Sequence, residues 1–587
     1  MEDRKQKTQG DKIEMSLIKG IIKYIFILLL IGLGAVVLMG AAMMLFGVQI
    51  FGYRYINVNE RVEYLVSPSS YSRDHYENAD KVTTIEVNAG NMNVTIYPHN
   101  YNWFAVNSLI QGNGFSKGDG ETSTKDMYTT LKPEIVQNED GTYKLVITSK
   151  TADGVVNLTH HRLQIAVPAT SEYAIASNLQ NLTVTTRAGS INIDKDIKVP
   201  TNDAILKMSN FTTLQTTSGD INVRYGSINH IKAKTDSGKM IFSSTVGNIK
   251  KTAQIESNTG NIKFEKGVDI EGNCLFKSGI SRITLNNISS KFEYEGESAY
   301  LEIGKVTGQV YIKSSDAVVN IEEISGSGAW ISAGYNPESR DNNEPNKVGN
   351  RKFRIGKADV STLFLETNTG EIYFGELIST ETTTETKKSG NLLTESGNIT
   401  IDKLIGNVSA ITKSGNIKIN QATYADEPSY ADTLKSAYIK VQSEKGNIVL
   451  NDIVGELHVK VKEDGNAPIT INMLEVNSNS EIIGQKGNMK LNLPVILADG
   501  TTKNIYSIAF FTLNADNSKK LSKGSISINL SALSEINDRS KYQYVQDVKQ
   551  NAETGKLESF GDEPFEGKPV LTIYSAQGDI TINSINN

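Results

Sequence analysis

A short motif recurs at a fixed interval between Ser396 and Asn420, in the stretch SGNITIDKLIGNVSAITKSGNIKIN. Its glycines, Gly397, Gly406 and Gly415, are nine residues apart, and each precedes an Asn and a β-branched residue. The apolar and polar alternation that follows is typical of a short strand, because successive side chains of a strand point to opposite faces. Gly-Asn favours a corner with positive φ. The predicted unit is therefore strand, corner, strand, corner.

Segments of the same form recur along most of the chain. They contain Gly189, Gly219, Gly238, Gly260, Gly370, Gly446, Gly487, Gly524 and Gly578. The step is commonly 18 to 22 residues, as in the 19 residues from Gly219 to Gly238. A unit this short cannot bury its apolar face alone, but stacked copies can. We therefore predict an all-β fold, a β-solenoid of roughly 15 to 20 coils and about 70–95 Å in length at the usual strand spacing.

A long uncharged segment precedes the repeats. Residues 24–53 contain no Asp, Glu, Lys or Arg and exceed the roughly 20 residues that cross a bilayer as a helix. A cleaved signal peptide is the alternative, but its apolar core is normally only about 7–15 residues long. Six basic residues within residues 1–23 favour a cytoplasmic N-terminus. We predict a single-pass cell-membrane protein that contacts the bilayer through residues 24–53, with everything after Tyr53 extracytoplasmic.

The rest of the chain divides by pattern. Residues 54–80 lack clear periodicity and are predicted to be a membrane-proximal spacer, with the first strands after it. The stretch from Ile135 to Ile147 predicts a hairpin that turns at Asp140-Gly141, and residues 111–126 predict a loop. The predicted organisation is a cytoplasmic stub (1–23), a transmembrane helix (24–53), the spacer (54–80), a leading β region (81–170) and solenoid repeats (171–587), with insertions at 334–350, 421–436 and 531–568.

Charge and cysteine content exclude some classes of protein. The chain has 60 basic and 66 acidic residues and a net charge of −6. A nucleic-acid-binding protein needs a concentrated basic face, whereas Lys and Arg beyond the N-terminal segment stand singly or in pairs. Cys274 is the single cysteine, so no intramolecular disulfide forms, and its apolar neighbours predict core packing.

The segment from Leu163 to Ile193, LQIAVPATSEYAIASNLQNLTVTTRAGSINI, has the order L-x-I-x-V-P, a polar spacer and then [ST]-G-[ND]-[IV]-x-[IV] strands. This order resembles the bacterial putative-adhesin family of membrane-anchored β-strand-repeat proteins. The resemblance covers roughly residues 81–587. It implies an exported or single-pass envelope protein with a β-solenoid domain and no established chemistry. The insertions depart from the simplest family pattern, which leaves open whether binding loops interrupt some coils.

The sequence predicts no metal site. The histidines are scattered without zinc-site spacing: His75, His99, His160, His161, His230 and His458. Adjacent His160 and His161 would face opposite sides of a strand. The calcium-binding G-G-x-G-x-D repeat is absent, and the acids of Gly219-Asp220 and Gly578-Asp579 are replaced by Asn in most copies. The run from Asp341 to Glu344 fails as an EF-hand loop because Pro345 takes a ligand position.

Catalytic signatures are also missing. Ser325-Gly326-Ser327-Gly328 falls short of a hydrolase elbow, and the one histidine beyond it is His458. Some solenoid enzymes cleave acidic polysaccharides with carboxylates on outward faces. Glu302, Glu322 and Asp402 are candidates for that role, but an acidic solvated face supplies such residues in any case. We therefore expect no enzyme, no cofactor and no metal.

These observations predict an adhesin-like interaction protein that presents a rigid rod to a cell-wall glycan or a surface protein, with no nucleic-acid partner. The long insertions are the predicted binding places, since loops on a rigid scaffold commonly carry recognition. An envelope-stress sensor that acts with a membrane partner is one alternative. A polysaccharide-cleaving β-helix enzyme is the other.

Overall fold

The structure is a computed structural model. It describes residues 2–51, 53–70, 75–99, 101–117, 132–149, 154–168, 179–195, 206–243, 248–333, 352–379, 390–423, 437–476, 478–496, 507–512, 526–529, 548–550, 556–559, 570–575 and 578–586. The described residues are mostly β, with one long N-terminal helix. The chain forms two compact units, Met1–Lys207 and Met208–Asn587.

Helix α1 (Glu2–Phe46) opens the first unit. Its part from Lys19 to Phe46 has 28 residues with a mean hydropathy of 2.8, which is long and apolar enough to cross a membrane, although a signal sequence passes the same test. The helix ends at Gly47, whose φ of 60° is left-handed and whose N–H donates to the Met43 carbonyl at 3.1 Å. A glycine in this conformation is a common helix terminator. The helix thus ends before the predicted limit of residue 53.

Among the described residues of the first unit, nine strands follow, with a short 3₁₀ helix at Ala79–Lys81. The strands are β1 (Tyr53–Val66), β2 (Val82–Asn88), β3 (Asn93–His99), β4 (Phe104–Lys117), β5 (Glu134–Gln137), β6 (Tyr143–Thr148), β7 (Gly154–Pro168), β8 (Asn181–Thr185) and β9 (Ile191–Ile193). β4 pairs antiparallel with both β1 and β7. β2 pairs in parallel with β6 and β8, and β3 with β7 and β9.

The predicted hairpin is confirmed, since β5 and β6 pair antiparallel and Gly141 between them has a φ of 82°. Two strands lie where none was predicted. β1 occupies the first half of the predicted spacer, and β4 extends through Lys117 into the predicted loop of residues 111–126. The described side chains of β1 are exposed or half-buried as far as Leu65. A strand without a fully buried face needs no strict alternation, so the pattern does not detect it.

The second unit contains the remaining described strands. They are β10 (Lys207–Gln215), β11 (Ile221–Val223), β12 (Ser227–Thr235), β13 (Met240–Phe242), β14 (Thr252–Ser257), β15 (Ile262–Phe264), β16 (Asn273–Leu285), β17 (Phe292–Ala333), β18 (Lys352–Val360), β19 (Leu363–Thr367), β20 (Glu371–Ser379), β21 (Gly390–Thr394), β22 (Ile399–Gly406), β23 (Val408–Thr412), β24 (Ile417–Ile419), β25 (Ala422–Thr423), β26 (Tyr438–Ser443), β27 (Ile448–Val461), β28 (Ile469–Val476), β29 (Ser480–Gly484), β30 (Met489–Ile496), β31 (Ser507–Thr512), β32 (Ile526–Asn529), β33 (Val548–Gln550), β34 (Lys556–Ser559), β35 (Val570–Ser575) and β36 (Ile580–Asn586).

Most strand pairs of the second unit are parallel and in register with the next copy of the motif. Ile399 of β22 faces Ile417 of β24, which faces Ile448 of β27, which faces Ile469 of β28. Antiparallel pairing joins β31 to β34 and β33 to β34. The repeat seen in the sequence is therefore a repeat of strand positions, each pairing with its equivalent one copy later.

Inward side chains of equivalent strands stack on one another. Ile399 and Ile417 are both 0% exposed, which confirms that they occupy equivalent core positions. Phe242 and Phe264 stack with ring centroids 4.3 Å apart. Cys274 is 3% exposed and free, as predicted for core packing. Burial raises the pKa of its thiol, which keeps it unreactive.

The corner glycines are required mainly by close approach between copies. A Cβ on Gly415 would lie 1.8 Å from the carbonyl oxygen of Gly397, which no side chain can tolerate. The predicted positive φ occurs at Gly406, with a φ of 99°, but not at Gly397 or Gly415. Glycine is thus required at some repeat positions by close approach of a neighbouring backbone, and at others by a positive φ.

The predicted insertions lie largely outside the described residues. This holds for all of 334–350, for 424–436 of the second insertion, and for 531–547, 551–555 and 560–568 of the third.

Candidate functional site

At many corners of the repeat, a Ser or Thr side chain three residues earlier in the chain supports the corner glycine. The Thr412 Oγ1 accepts the N–H of Gly415 at 2.9 Å, and Thr394 makes the same contact with Gly397 at 2.9 Å. Ser443 does so for Gly446 at 3.1 Å. A buried N–H that lacks a strand partner must find another acceptor. The sequence signal is a Ser or Thr three residues before the glycine, which the motif analysis missed.

The residue after the corner glycine links successive copies. The Asn398 Oδ1 accepts the N–H of Asn416 at 2.8 Å, and the Asn416 Oδ1 accepts the N–H of Asn447 at 2.8 Å. Asp220 plays the same part, because its Oδ1 accepts the N–H of Lys239 at 2.7 Å. This position therefore needs only an acceptor oxygen, which both Asn and Asp provide.

A second row of polar side chains, which we name the polar row, follows the strands of the second unit. In it, Asn420 donates to Asp402 at 2.9 Å, Asn451 donates to Asn420 at 3.3 Å, and Asn472 donates to Asn451 at 2.7 Å. Such amide ladders satisfy side chains that stack at strand spacing. The row therefore satisfies its own hydrogen bonds within the stack.

At the other end of the polar row, glycines replace most of the amide side chains. Strand register places Asn286, Gly304, Glu322, Gly356 and Gly375 in line below Asp402. Direct stacking supports this order, since a Cβ on Gly304 would approach the Asn286 carbonyl and one on Gly356 would approach that of Glu322. Three glycines thus stand where the ladder has amides, which removes the side chains and opens a groove.

The groove has a volume of about 900 Å³. It is bordered by polar and charged side chains and by exposed backbone. The residues that line it are Lys266, Gly267, Asp269, Thr284, Leu285, Asn286, Asn287, Glu302, Ile303, Gly304, Asn320, Ile321, Glu322, Arg354 and Gly356. All of them belong to the second unit.

The outward charges around the groove are mostly paired. Arg282 contacts Glu302 at 3.0 Å, and Lys305 contacts Glu323 at 2.8 Å. Glu376 lies between Lys357 and Lys403, at 3.4 Å and 2.9 Å. The hydrogen bond from Lys403 is the main cause that lowers the Glu376 pKa.

Three charged side chains in the groove differ from these pairs. Within the part of the chain that the structure describes, Lys266 and Glu322 have no hydrogen-bond or ion-pair partner. Arg354 has no carboxylate partner there and instead lies over the ring of Tyr373, 4.7 Å from its centroid. The groove therefore presents charged hydrogen-bonding groups that the described residues do not satisfy.

The Tyr373 hydroxyl links the ring beneath Arg354 to the polar row. It donates to the Asp402 Oδ2 at 2.5 Å, and this hydrogen bond is the main cause that raises the Tyr373 pKa. Asp402 also accepts from Asn420, so both of its oxygens are engaged.

The structure brings two of the three candidate carboxylates together. Glu302 and Glu322 both line the groove, whereas Asp402 stands beyond it in the polar row. Of these, Glu302 is paired with Arg282 and Asp402 is doubly hydrogen-bonded. Sequence reasoning named these residues as outward, but missed the row of glycines that contains Glu322 and opens the groove.

The histidines fall at separate places. His230 stacks on Phe211 with centroids 4.7 Å apart, and His458 contacts Glu456 at 2.8 Å. Burial and the nearby Lys251 lower the His230 pKa. The described residues contain no group of three His, Cys, Asp or Glu side chains that could hold a metal ion. Asp341–Glu344 lie outside the described residues.

A row of outward aromatic rings was also missed. Tyr311 and Trp330 stack with centroids 4.4 Å apart, and Trp330 and Phe364 with centroids 6.1 Å apart. Their spacing in sequence is 19 and then 34 residues, because the second step contains the 334–350 insertion. The strand register pairs Trp330 with Phe364, which their spacing in sequence does not show.

No family model matches the chain, and no curated protein matches it. A crystal structure of a putative cell adhesion protein from Clostridium sporogenes aligns with 90% of this chain and 100% of its own length, at 8% identity and a TM-score of 0.13. A score this low does not relate the two folds.

Proposed function

We propose that this chain is a membrane-anchored interaction protein that presents a β-solenoid outside the membrane. The observation that carries the proposal is the in-register parallel pairing of successive copies in the second unit, as in Ile399, Ile417 and Ile448. Stacked copies of one short unit are the defining feature of solenoids, which offer long repetitive surfaces for binding.

The anchor is the apolar helix over Lys19–Phe46. The basic residues before it favour a cytoplasmic N-terminus, so the strands lie on the opposite side. A binding role is supported over polysaccharide cleavage because two of the three candidate carboxylates, Glu302 and Asp402, are engaged in contacts within the stack, which leaves Glu322 alone among them. The partners proposed are a cell-wall glycan or a surface protein.

Protease protection tests the topology. Cells that carry the full chain with one tag before Lys19 and another after Asn587 are treated with a non-penetrating protease, after removal of any outer barrier. We expect loss of the C-terminal tag and survival of the N-terminal tag. Survival of the C-terminal tag in spheroplasts would refute the proposed orientation.

Retention on envelope material tests the interaction role. The full chain in lipid nanodiscs is passed over isolated cell-wall glycan and over immobilised surface proteins, with empty nanodiscs as the control. We expect retention on one of these above the control. Equal retention of loaded and empty nanodiscs on both would remove the basis for an interaction protein.

A further inference from the structure

The groove in the second unit has a defined direction and length. Asn286, Gly304, Glu322 and Gly356 mark four successive levels of the stack. At the spacing of parallel strands these levels cover roughly 14 Å. The groove therefore runs along the stack and accommodates a short linear ligand.

The lining favours a ligand that carries polar groups along this length. Its aliphatic members, Leu285, Ile303 and Ile321, are 3%, 1% and 2% exposed, so their side chains contribute little to it. The accessible lining consists of the carbon atoms and polar groups of amide, hydroxyl and charged side chains and of glycine backbone. Polar groups of a binding site reward a ligand that completes their hydrogen bonds.

The charges in the groove disfavour a polyion. Lys266 and Arg354 are cationic, but Glu322 stands at a level between Asn286 and Gly356 and has no partner in the described chain to neutralise it. A polyanion would meet this carboxylate, and a polycation would meet the two cations. Unpaired charge against like charge is a strong source of discrimination.

An added peptide strand is disfavoured for a different reason. The strands that border the groove already pair on both sides: β17 pairs with β16 and β18, and β18 also pairs with β20. Their backbone groups are therefore used within the stack, and no sheet edge is open for strand addition here. The site must recognise its ligand through side chains.

We propose that this groove binds a short stretch of an uncharged linear glycan. Ring hydroxyls act as both donors and acceptors, which suits Lys266 and Arg354 as donors, Glu322 as an acceptor and the Asn320 side chain as either. The Asn320 amide already donates to the Tyr300 hydroxyl at 3.0 Å, which orients its oxygen as a further acceptor. The inference rests on the proposed interaction role and names the ligand class for it.

Filling the groove gives the main test. Gly304→Asn introduces the residue that the polar row carries at Asn420, Asn451 and Asn472. Space allows it, because a Cβ at Gly304 would lie 3.0 Å from the Asn286 carbonyl oxygen, which needs a shift of only a few tenths of an ångström. Binding of cellotetraose, chitotetraose and maltotetraose to the full chain in detergent is measured by calorimetry. We expect one of them to bind and Gly304→Asn to weaken its Kd about tenfold or more.

Two further variants test the groove without adding a side chain at Gly304. Glu322→Gln and Arg354→Gln preserve shape and remove one charge each, and each is expected to weaken the same Kd. Lys418→Gln is the matched control, since Lys418 occupies the register row of Arg354 further along the stack and lies outside the groove. Its Kd should equal that of the parent.

The outcomes separate this inference from the proposed function. Unchanged affinity in all three groove variants would overturn the assignment of the ligand to this groove, and equally tight binding of tetragalacturonate would overturn the assignment to an uncharged glycan. Failure of every tetrasaccharide to bind, with envelope retention preserved, would overturn the groove and leave the interaction role intact. Absence of envelope retention for the parent chain would instead count against the proposed function.

Discussion

At the scale of single residues, the same residue type is required for different reasons at different positions. Gly415 is fixed by the carbonyl of Gly397 one copy away, and Gly406 by its φ of 99°. At Gly304 the φ is not left-handed and a Cβ would be 3.0 Å from the nearest backbone oxygen, so both constraints are weaker. The absence of a side chain at Gly304 instead leaves space for the groove. Residue substitutions can separate these cases.

Gly415→Ala should destabilise the chain by roughly 2–3 kcal/mol, because its Cβ would lie 1.8 Å from a backbone oxygen that cannot move without breaking the stack. Denaturant unfolding measures this change. Gly390→Ala is the matched control, since its nearest neighbour would be at 3.5 Å. Equal unfolding midpoints for the two variants would refute the close-approach explanation.

Ile399→Asp should destabilise by on the order of 4 kcal/mol, because it places an unpaired carboxylate at a position that is 0% exposed. Thr400→Asp, one residue along and on the outer face, should change the free energy of unfolding little. Thermal unfolding of the two variants compares the faces directly. A parent-like melting curve for Ile399→Asp would mean that the inner face is wrongly assigned.

At the scale of elements, strands as short as β24, with three residues, persist because both neighbours hold them. β22 and β27 flank β24 in register. Outward ion pairs add to this between successive strands, as Lys403 of β22 does with Glu376 of β20. Exposed pairs contribute little singly, so burial of the inner face remains the main source of stability.

The Glu376 carboxylate makes part of this stability dependent on pH. Its pKa in the folded chain is lowered, chiefly by the hydrogen bond from Lys403. Its contribution is therefore present above the unfolded pKa, near 4.5, and is lost as the pH falls through the folded pKa. Glu376→Gln should cost about 0.5 kcal/mol at neutral pH, and this difference should vanish in acid.

Chemical denaturation at several pH values measures that difference. Glu322→Gln is the control, because Glu322 has no ion-pair partner in the described residues and its removal should not produce the same pH profile. A difference between parent and Glu376→Gln that grows toward acid would contradict the assigned sign.

At the scale of the whole molecule, the proposed solenoid predicts that the second unit is elongated along its stacking direction. Each copy adds about 4.8 Å in that direction. Small-angle scattering from the isolated second unit, residues 208–587, provided that it folds by itself, should give the distance distribution of an elongated particle. A distribution typical of a near-spherical particle would contradict the proposed architecture.

The sequence alone determined the local features that depend on neighbours in the chain. The two-residue alternation predicted the short strands, the Gly-containing turn predicted the β5–β6 hairpin, and the uncharged segment predicted a membrane-length helix. Each of these follows from backbone geometry or from transfer of side chains out of water, and both act within a few residues.

Only the tertiary structure decided which residues of different copies lie next to one another in the stack. The groove exists because Gly304 and Gly356, separated by 52 residues, fall in one row with Glu322 between them. Tyr311, Trp330 and Phe364 stack for the same reason across an insertion. Insertions of variable length shift the spacing in sequence but not the strand register, since register is set by burial of the inner face over the whole stack.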